Sequence, residues 1–376
     1  MKRCMVGICL AVLLLTMPVG AVEVKAQAAL LMEKETGEIL YAKNEHEKLE
    51  PASVTKVMTL LLVMEAIDNG QLGYEDILTA SAHACSMGGS QIWLKEGERM
   101  SVDDMLKAVF VVSANDCAVA LGEAVAGSEA AFVELMNKRA KELGMNDTVF
   151  HNATGLPAEG HVTSAYDIAV MSRELILHHP KVREYTTIWM DTLRGGTSEL
   201  VNTNKLIRRY DGATGLKTGS TSTAMYCVSA TAERDGMELI AVVLKSPTGE
   251  QRVTDARTLL DHGFANYALT KAAEGEVLSP VPVTMGSQAA VQPVAEERTL
   301  LLEKSKAGKL TRTLELAEGV EAPVAKGDVL GTLRIMAGEE LVAEVPVVAG
   351  EDVPRLTWGQ VARRLIRSAL LAGGEG

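Results

Sequence analysis

The chain has 376 residues, 47% of them apolar, and carries 37 lysines and arginines against 49 aspartates and glutamates, a formal net charge of −12. That length suits two domains with real cores, and the acidic balance argues against nucleic acid as a partner. The seven histidines and five cysteines include no H-E-x-x-H and no C-x-x-C, so no catalytic metal and no cofactor are expected.

The N-terminus has Lys2 and Arg3, an apolar run over residues 5–17, then Pro18 and small residues. This is the pattern of a secretory signal peptide, assigned to residues 1–28, with Val19-Gly20-Ala21 or Ala26-Gln27-Ala28 as cleavage candidates. The apolar run is shorter than the ~20 residues a membrane span needs. Cys9 follows Ile8 rather than a small residue, which does not suit a lipoprotein anchor. Removing residues 1–28 takes away Lys2, Arg3, Lys25 and Glu23 and leaves a net charge of −14. Cys85, Cys117 and Cys227 then remain. They read as small buried hydrophobes, and whether two of them pair is left open.

Residues 28–32 and 38–41 flank Glu35-Thr36-Gly37 and read as a hairpin. Pro51-Ala52-Ser53 opens an apolar stretch, residues 57–67, closed by Asn69-Gly70, which has the start and stop signals of a helix. Ser101 with Asp104 resembles a capping box ahead of a helix over 102–112. A second helix covers 116–125, so Ser113-Ala114-Asn115 falls between the two. Further helices are expected over 130–143, ended by Gly144, and 163–178, with Pro180 beyond. Two β-rich runs, 224–232 and 238–244, flank the turn Arg234-Asp235-Gly236, with Lys217-Thr218-Gly219 at the entry of that hairpin. A helix over 254–267 completes a domain of residues 29–270. Strands at both ends with helices between suit an antiparallel sheet covered by helices, an α/β (α+β) fold.

Residues 275–350 show short Val- and Leu-rich runs broken by Gly and Pro, the texture of a small all-β domain. Residues 324–331 within it resemble a biotinyl-domain turn, but no lysine occupies the attachment motif, so they read as turn chemistry. Residues 355–372 stand apart. Trp358, Val361, Ala362, Leu365, Ile366, Ala369 and Leu370 fall on one helical arc, with Arg363, Arg364 and Arg367 on the other. A Trp-led apolar face beside a basic face suits a helix lying on a membrane surface.

Three short motifs carry the chemistry: Ser53-Val54-Thr55-Lys56, Ser113-Ala114-Asn115 and Lys217-Thr218-Gly219. Each is common alone; their order and context make them specific. A serine hydroxyl needs a base to act as a nucleophile near neutral pH. Lys56 shares a helix face with Ser53, but a free lysine is protonated there. It can act as a base only if burial and a nearby cation disfavour its charge, and Lys217 is the candidate cation.

The S-x-x-K, S-x-N, K-T-G series resembles that of the penicillin-interacting serine enzymes. Residues 51–65, Ser86-Met87-Gly88-Gly89-Ser90-Gln91, Asn152-Ala153-Thr154-Gly155-Leu156 and Val201-Asn202-Thr203-Asn204 are similar to the low-molecular-mass penicillin-binding proteins, serine-type D-alanyl-D-alanine carboxypeptidases, in particular those of Gram-positive endospore formers. The resemblance implies a transpeptidase/β-lactamase-like domain that cleaves peptidoglycan stem peptides ending in D-Ala-D-Ala and is acylated by β-lactams, on the outer face of the cytoplasmic membrane. It implies Ser53 as nucleophile, Lys56 as base and Ser113 as proton relay. It further implies Asn115 as ligand to a substrate amide and a group that orients Lys56, and Lys217 and Thr218 as ligands to the terminal carboxylate. Gly219 would allow close approach, and the N–H groups of Ser53 and Ser220 would form the oxyanion hole. Arg252 would assist at the carboxylate. Some relatives have His where this chain has Ser220, which puts the deacylation rate in question. A serine β-lactamase is the first rival, but the E-x-x-x-N of its commonest type is absent: Glu159 is followed four on by Thr163, and Glu174 by His178. A non-turnover β-lactam or muropeptide sensor is the second.

Overall fold

The computed structural model describes residues 22–273, 275–363 and 366. The first body contains, in chain order, β1 (Ala28–Glu33), β2 (Ile39–Lys43), a 3-10 turn (Ala52–Thr55), α1 (Lys56–Asp68), β3 (Ile77–Thr79), α2 (Ala82–Cys85), β4 (Arg99–Ser101), α3 (Val102–Val112), α4 (Asn115–Ala126), α5 (Glu129–Glu142), α6 (Ala165–His178) and α7 (Val182–Thr186). It continues with β5 (Met190–Leu193), β6 (Ser198–Val201), α8 (Leu206–Arg209), β7 (Ala213–Thr221), β8 (Met225–Arg234), β9 (Met237–Ser246) and α9 (Gly249–Asn266).

Five strands form one antiparallel sheet in the order β2-β1-β9-β8-β7. Strand side chains alternate between faces, and the sequence uses that alternation. Leu30 and Met32 of β1 join the large core with Ile240, Val242 and the helices α1, α3, α4 and α6, whereas Ala29 and Leu31 join Leu239, Val243 and α9 on the other face. Helix α9 sits so close to the sheet that a Cβ on Gly263 would lie 2.4 Å from Leu239. Helix α1 is apolar nearly all round and is buried along most of its length, as such a helix must be.

Three boundaries differ from the sequence reading. Lys217-Thr218-Gly219 lies inside β7, an edge strand paired with β8, and not at the entry of a later hairpin. Gly215 and Gly219 dilute the β signal there. Helix α9 begins at Gly249, because Thr248 accepts a hydrogen bond from the Gln251 N–H and caps it; Arg252 therefore belongs to a helix and not to a loop. At the N-terminus, residues 24–28 belong to the fold. Val24 and Ala26 are buried, the Lys25 and Ala26 N–H groups donate to the buried Asp255 carboxylate, and Lys43 Nζ donates to the Val24 and Ala26 carbonyls. Most of the apolar leader lies outside the described residues.

The second body contains β10 (Tyr267–Lys271), β11 (Val281–Thr284), β12 (Ala290–Val291), β13 (Pro293–Ala295), β14 (Thr299–Glu303), α10 (Lys304–Ala307), β15 (Leu310–Leu316), β16 (Val320–Glu321), β17 (Val329–Ala337) and β18 (Glu340–Ala349). Strand β10, at the end of the region read as the first domain, pairs with β14. The remaining strands form the sheets β13-β18-β17-β15 and β12-β11-β16, each over its own small core. Within residues 324–331, Asp328 closes a turn onto Ala325 through its carboxylate and its N–H. Residues 358–363 are helical and Trp358 is 89% exposed; most of the basic-apolar stretch beyond lies outside the described residues. Among the described residues, no helix is long and apolar enough to cross a membrane. A concavity of about 1400 Å³ runs between the β1–β2 turn and strands β13 and β14 and contains none of the motif residues.

Candidate active site

Ser53 sits in the 3-10 turn that leads into α1. Lys56 opens that helix and is wholly buried, with its Nζ 3.0 Å from Ser53 Oγ. The same Nζ donates to the Thr154 carbonyl at 2.7 Å. That carbonyl is fixed by an Asn-centred turn, in which Asn152 Oδ1 accepts from the Thr154 and Gly155 N–H groups and from Thr154 Oγ1. Lys56 is thus oriented by a backbone carbonyl, where the family pattern had suggested Asn115. Behind the turn, His161 accepts the His151 N–H on Nδ1, so its Nε2–H faces Thr55 Oγ1 at 2.8 Å. Burial lowers the His161 pKa to about 4 and keeps the ring neutral.

Burial is also the first cause that holds the Lys56 pKa well below the usual lysine range. The Lys217 charge adds to it and Asp116 opposes it. Burial and Lys217 thus both favour the uncharged amine, the form a base requires.

The S-x-N segment joins two helices. Ser113 ends α3 in the left-handed region, φ +66°, and Asn115 begins α4. Asn115 is locked from outside: its N–H donates to the Ser90 carbonyl at 2.7 Å and its Nδ2 to the Gly88 carbonyl at 2.6 Å. Ser113 Oγ and Asn115 Oδ1 are buried and have no protein partner. Two unspent polar groups in one buried site are costly unless a ligand takes them up.

In β7, Lys217 is buried and donates to the Thr218 carbonyl. Burial and then the Arg252 charge lower its pKa to about 7. Arg252, from α9, donates to the Gly219 and Cys227 carbonyls at 3.3 Å. Gly219 has no room for a side chain, since a Cβ there would lie 2.8 Å from both the Ser53 nitrogen and the Pro51 oxygen. This is how the edge strand reaches the nucleophile's turn. Ser220, next along, is exposed.

The structure therefore brings the three motifs and Arg252 to one place. It adds two groups the motif reasoning did not assign. One is the Thr154 carbonyl. The other is Thr203, whose hydroxyl accepts from Thr218 Oγ1 at 2.8 Å. Thr203 is set there by the buried Asn202 and Asn204, the latter donating to the Gly215 carbonyl of β7 at 2.7 Å. The sequence signal was present in Val201-Asn202-Thr203-Asn204, but it named no role. Among the described residues no group of His, Cys, Asp and Glu is arranged to hold a metal. Cys85, Cys117 and Cys227 are all free thiols.

Comparison with known proteins gives the same family at both ends of the chain. The family described as D-alanyl-D-alanine carboxypeptidase, peptidase S11, matches residues 16–248. The C-terminal domain of penicillin-binding protein 5 matches residues 269–355. The chain is 41% identical over 337 residues to the D-alanyl-D-alanine carboxypeptidase DacF of Bacillus subtilis, covering 88% of this chain and 86% of that one. Among solved structures, penicillin-binding protein 5 of Haemophilus influenzae superposes with a TM-score of 0.77 at 31% identity, over 89% of this chain and 98% of that one. Penicillin-binding protein D2 of Listeria monocytogenes in its ampicillin-bound form does so with a TM-score of 0.59 at 37% identity, over 64% of this chain and 98% of that one.

Proposed function

This chain belongs to the serine D-alanyl-D-alanine carboxypeptidases of peptidase family S11, and from that premise we propose that it removes the terminal D-alanine of peptidoglycan stem pentapeptides through an acyl-enzyme on Ser53. The observation that carries the residue assignment is the buried Lys56 amine, 3.0 Å from Ser53 Oγ, its charged form disfavoured first by burial and then by Lys217.

In this reading Lys56 takes the Ser53 hydroxyl proton as Oγ bonds to the carbonyl carbon between the two D-alanines. The tetrahedral oxyanion is met by the N–H groups of Ser53 and Ser220. Ser113 passes a proton to the departing amine, the C–N bond breaks and D-alanine leaves. A water then repeats the sequence on the Ser53 ester and releases the shortened peptide. Asn115 Oδ1, which has no protein partner, accepts from a substrate amide. Lys217, Thr218 and Arg252 hold the terminal carboxylate, and Gly219 gives the strand its clearance. A β-lactam enters the same path and stays as the Ser53 ester. The exposed Ser220 offers no side-chain base, so the deacylating water depends on Lys56 and Ser113. The leader, and the Trp-led basic sequence of residues 355–372, support export and attachment to the outer face of the cytoplasmic membrane.

The test is D-alanine release from a muropeptide ending in D-Ala-D-Ala. Many turnovers per enzyme, lost in Ser53→Ala together with fluorescent-penicillin labelling, are expected. A single turnover with intact labelling would replace this reading with that of a sensor.

A further inference from the structure

The segment that locks Asn115 also displays an aromatic ring to solvent, and the geometry points to a use for it. The residues are buried, exposed, buried: Ile92 at 6%, Trp93 at 73% and Leu94 at 5%. The two buried neighbours are pinned by one group. Their N–H groups both donate to the carboxylate of Asp116, itself fully buried beside Asn115, at 3.1 and 3.0 Å. Trp93 between them is forced to φ +60°, a conformation that a bulky residue rarely adopts. Such strain persists only where the surroundings over-determine it. Here they hold a large apolar side chain out in water, where its hydration is unfavourable.

A second segment adjoins. Arg194, at the tip of the β5–β6 hairpin, donates to the Ile92 carbonyl at 2.9 Å and to Glu98 at 2.7 Å, clipping the hairpin to the Trp93 loop. At the base of that hairpin Met190 and Val201 are cross-strand partners and are 59% and 44% exposed. Two residues past Val201, Thr203 bonds Thr218 of the K-T-G strand. Two anchored segments that expose Trp93, Met190 and Val201 are therefore tied to the chain beside Asn115 and to Thr218, a ledge next to the motif residues.

We propose that this ledge is a specificity subsite for the sugar of the substrate, with the apolar face of a pyranose ring lying on the Trp93 indole. The proposal rests on the carboxypeptidase reading and extends it. The peptide's terminal carboxylate and scissile bond are taken up by the motif residues, and its amide by Asn115. Trp93 is three positions on from Ser90, whose carbonyl accepts from the Asn115 N–H, at most about 10 Å of chain. That is the span of about three extended peptide residues, the length of a stem pentapeptide ahead of its two D-alanines, so the carbohydrate end falls within reach of the indole. The stem peptide itself is polar; the sugar ring is the part of the substrate with a broad C–H face. An indole supplies a large, rigid contact at little entropic cost.

The experiment compares two substrates: a disaccharide pentapeptide and the same pentapeptide without sugar. In Trp93→Ala the KM for the sugar-bearing substrate should rise about tenfold, the size of effect typical of an aromatic anchor, with kcat unchanged. KM for the free pentapeptide should not move, and Trp93→Phe should recover most of the loss. The rate of fluorescent-penicillin acylation reports that Ser53 and Lys56 remain in place. Equal KM changes on both substrates, or none on either, would overturn the sugar subsite while wild-type turnover of the free pentapeptide still upheld the carboxypeptidase. Failure of the wild type on both substrates would remove the carboxypeptidase reading and the subsite with it.

Discussion

Gly155→Ala should cripple acylation without touching any group that meets substrate. Gly155 has φ +80°, and a Cβ there would lie 1.8 Å from the Ala52 carbonyl oxygen, 2.3 Å from the Ala52 carbonyl carbon and 2.8 Å from Thr55 Oγ1. The left-handed backbone alone costs an alanine about 1–2 kcal/mol. The contact is worse, because a Cβ essentially never comes within 3.0 Å of another heavy atom. The turn bearing Ser53 must therefore retreat by at least about 1.2 Å from the loop whose Thr154 carbonyl holds Lys56, and a misplacement near 1 Å costs about 10²-fold in rate. Gly127→Ala is the control: φ is +83° but nothing lies within 4 Å of the added Cβ. It should lose the backbone term only, a melting-temperature drop of a few degrees, and acylate normally. The assay is the second-order rate of fluorescent-penicillin acylation together with thermal melting of both variants. If Gly155→Ala acylated within about threefold of wild type, the close packing of residues 52–55 on residues 154–155 would not be what holds the nucleophile.

Three further outcomes are expected. For the free enzyme, kcat/KM should fall above about pH 7 as Lys217 loses its proton and its hold on the substrate carboxylate, and the fall should move to higher pH in Arg252→Gln; a flat profile from neutral to alkaline pH would dismiss Lys217 as the carboxylate's cation. His161 has a folded pKa of about 4, below the ~6.5 of an unfolded histidine. The unfolded chain therefore binds the proton first, and stability present above pH 6.5 is lost as pH falls towards 4, by roughly 3 kcal/mol. Chemical denaturation across that range should show this loss in wild type and a shallower one in His161→Gln. Protein beginning at Ala29 lacks the Lys25 and Ala26 N–H bonds to buried Asp255 and should be less stable than protein beginning at Val22 by about 3–6 kcal/mol, at 1.5–3 kcal/mol per bond to a charged group. Equal melting temperatures would show that residues 22–28 contribute nothing.

What the sequence disclosed depended on how local the signal was. Ser53, Lys56, Ser113 and Asn115 stood out because each belongs to a short pattern beside a helix boundary, and the helices α3, α5 and α6 carry their caps in the sequence: Ser101, Ser128 and Ser164 each accept an N–H of the first turn. The partner of Lys56 was not legible, because a backbone carbonyl has no side-chain signature and Thr154 is ninety-eight residues away. Thr203 was hidden for the same reason, being placed by Asn202 and Asn204 through contacts with distant backbone. The extent of β7 was obscured because Gly219 was chosen for clearance from Ser53 and not for sheet propensity.

Strand β1 has a further consequence. It is the first of the described strands, yet it lies inside the sheet, with β2 on one side and β9 on the other, and its partners Leu239–Leu244 are made roughly two hundred residues later. The sheet cannot close on itself while the chain is still emerging, although α1 can already pack on α4, α5 and α6, which precede β9 in the chain. Loop closure over that distance makes assembly slow and late. Such a topology keeps a nascent chain open and threadable, and it postpones the pairing of Ser53 with Lys56 and the K-T-G strand until the last strand arrives, so that the nucleophile is armed only in the finished molecule.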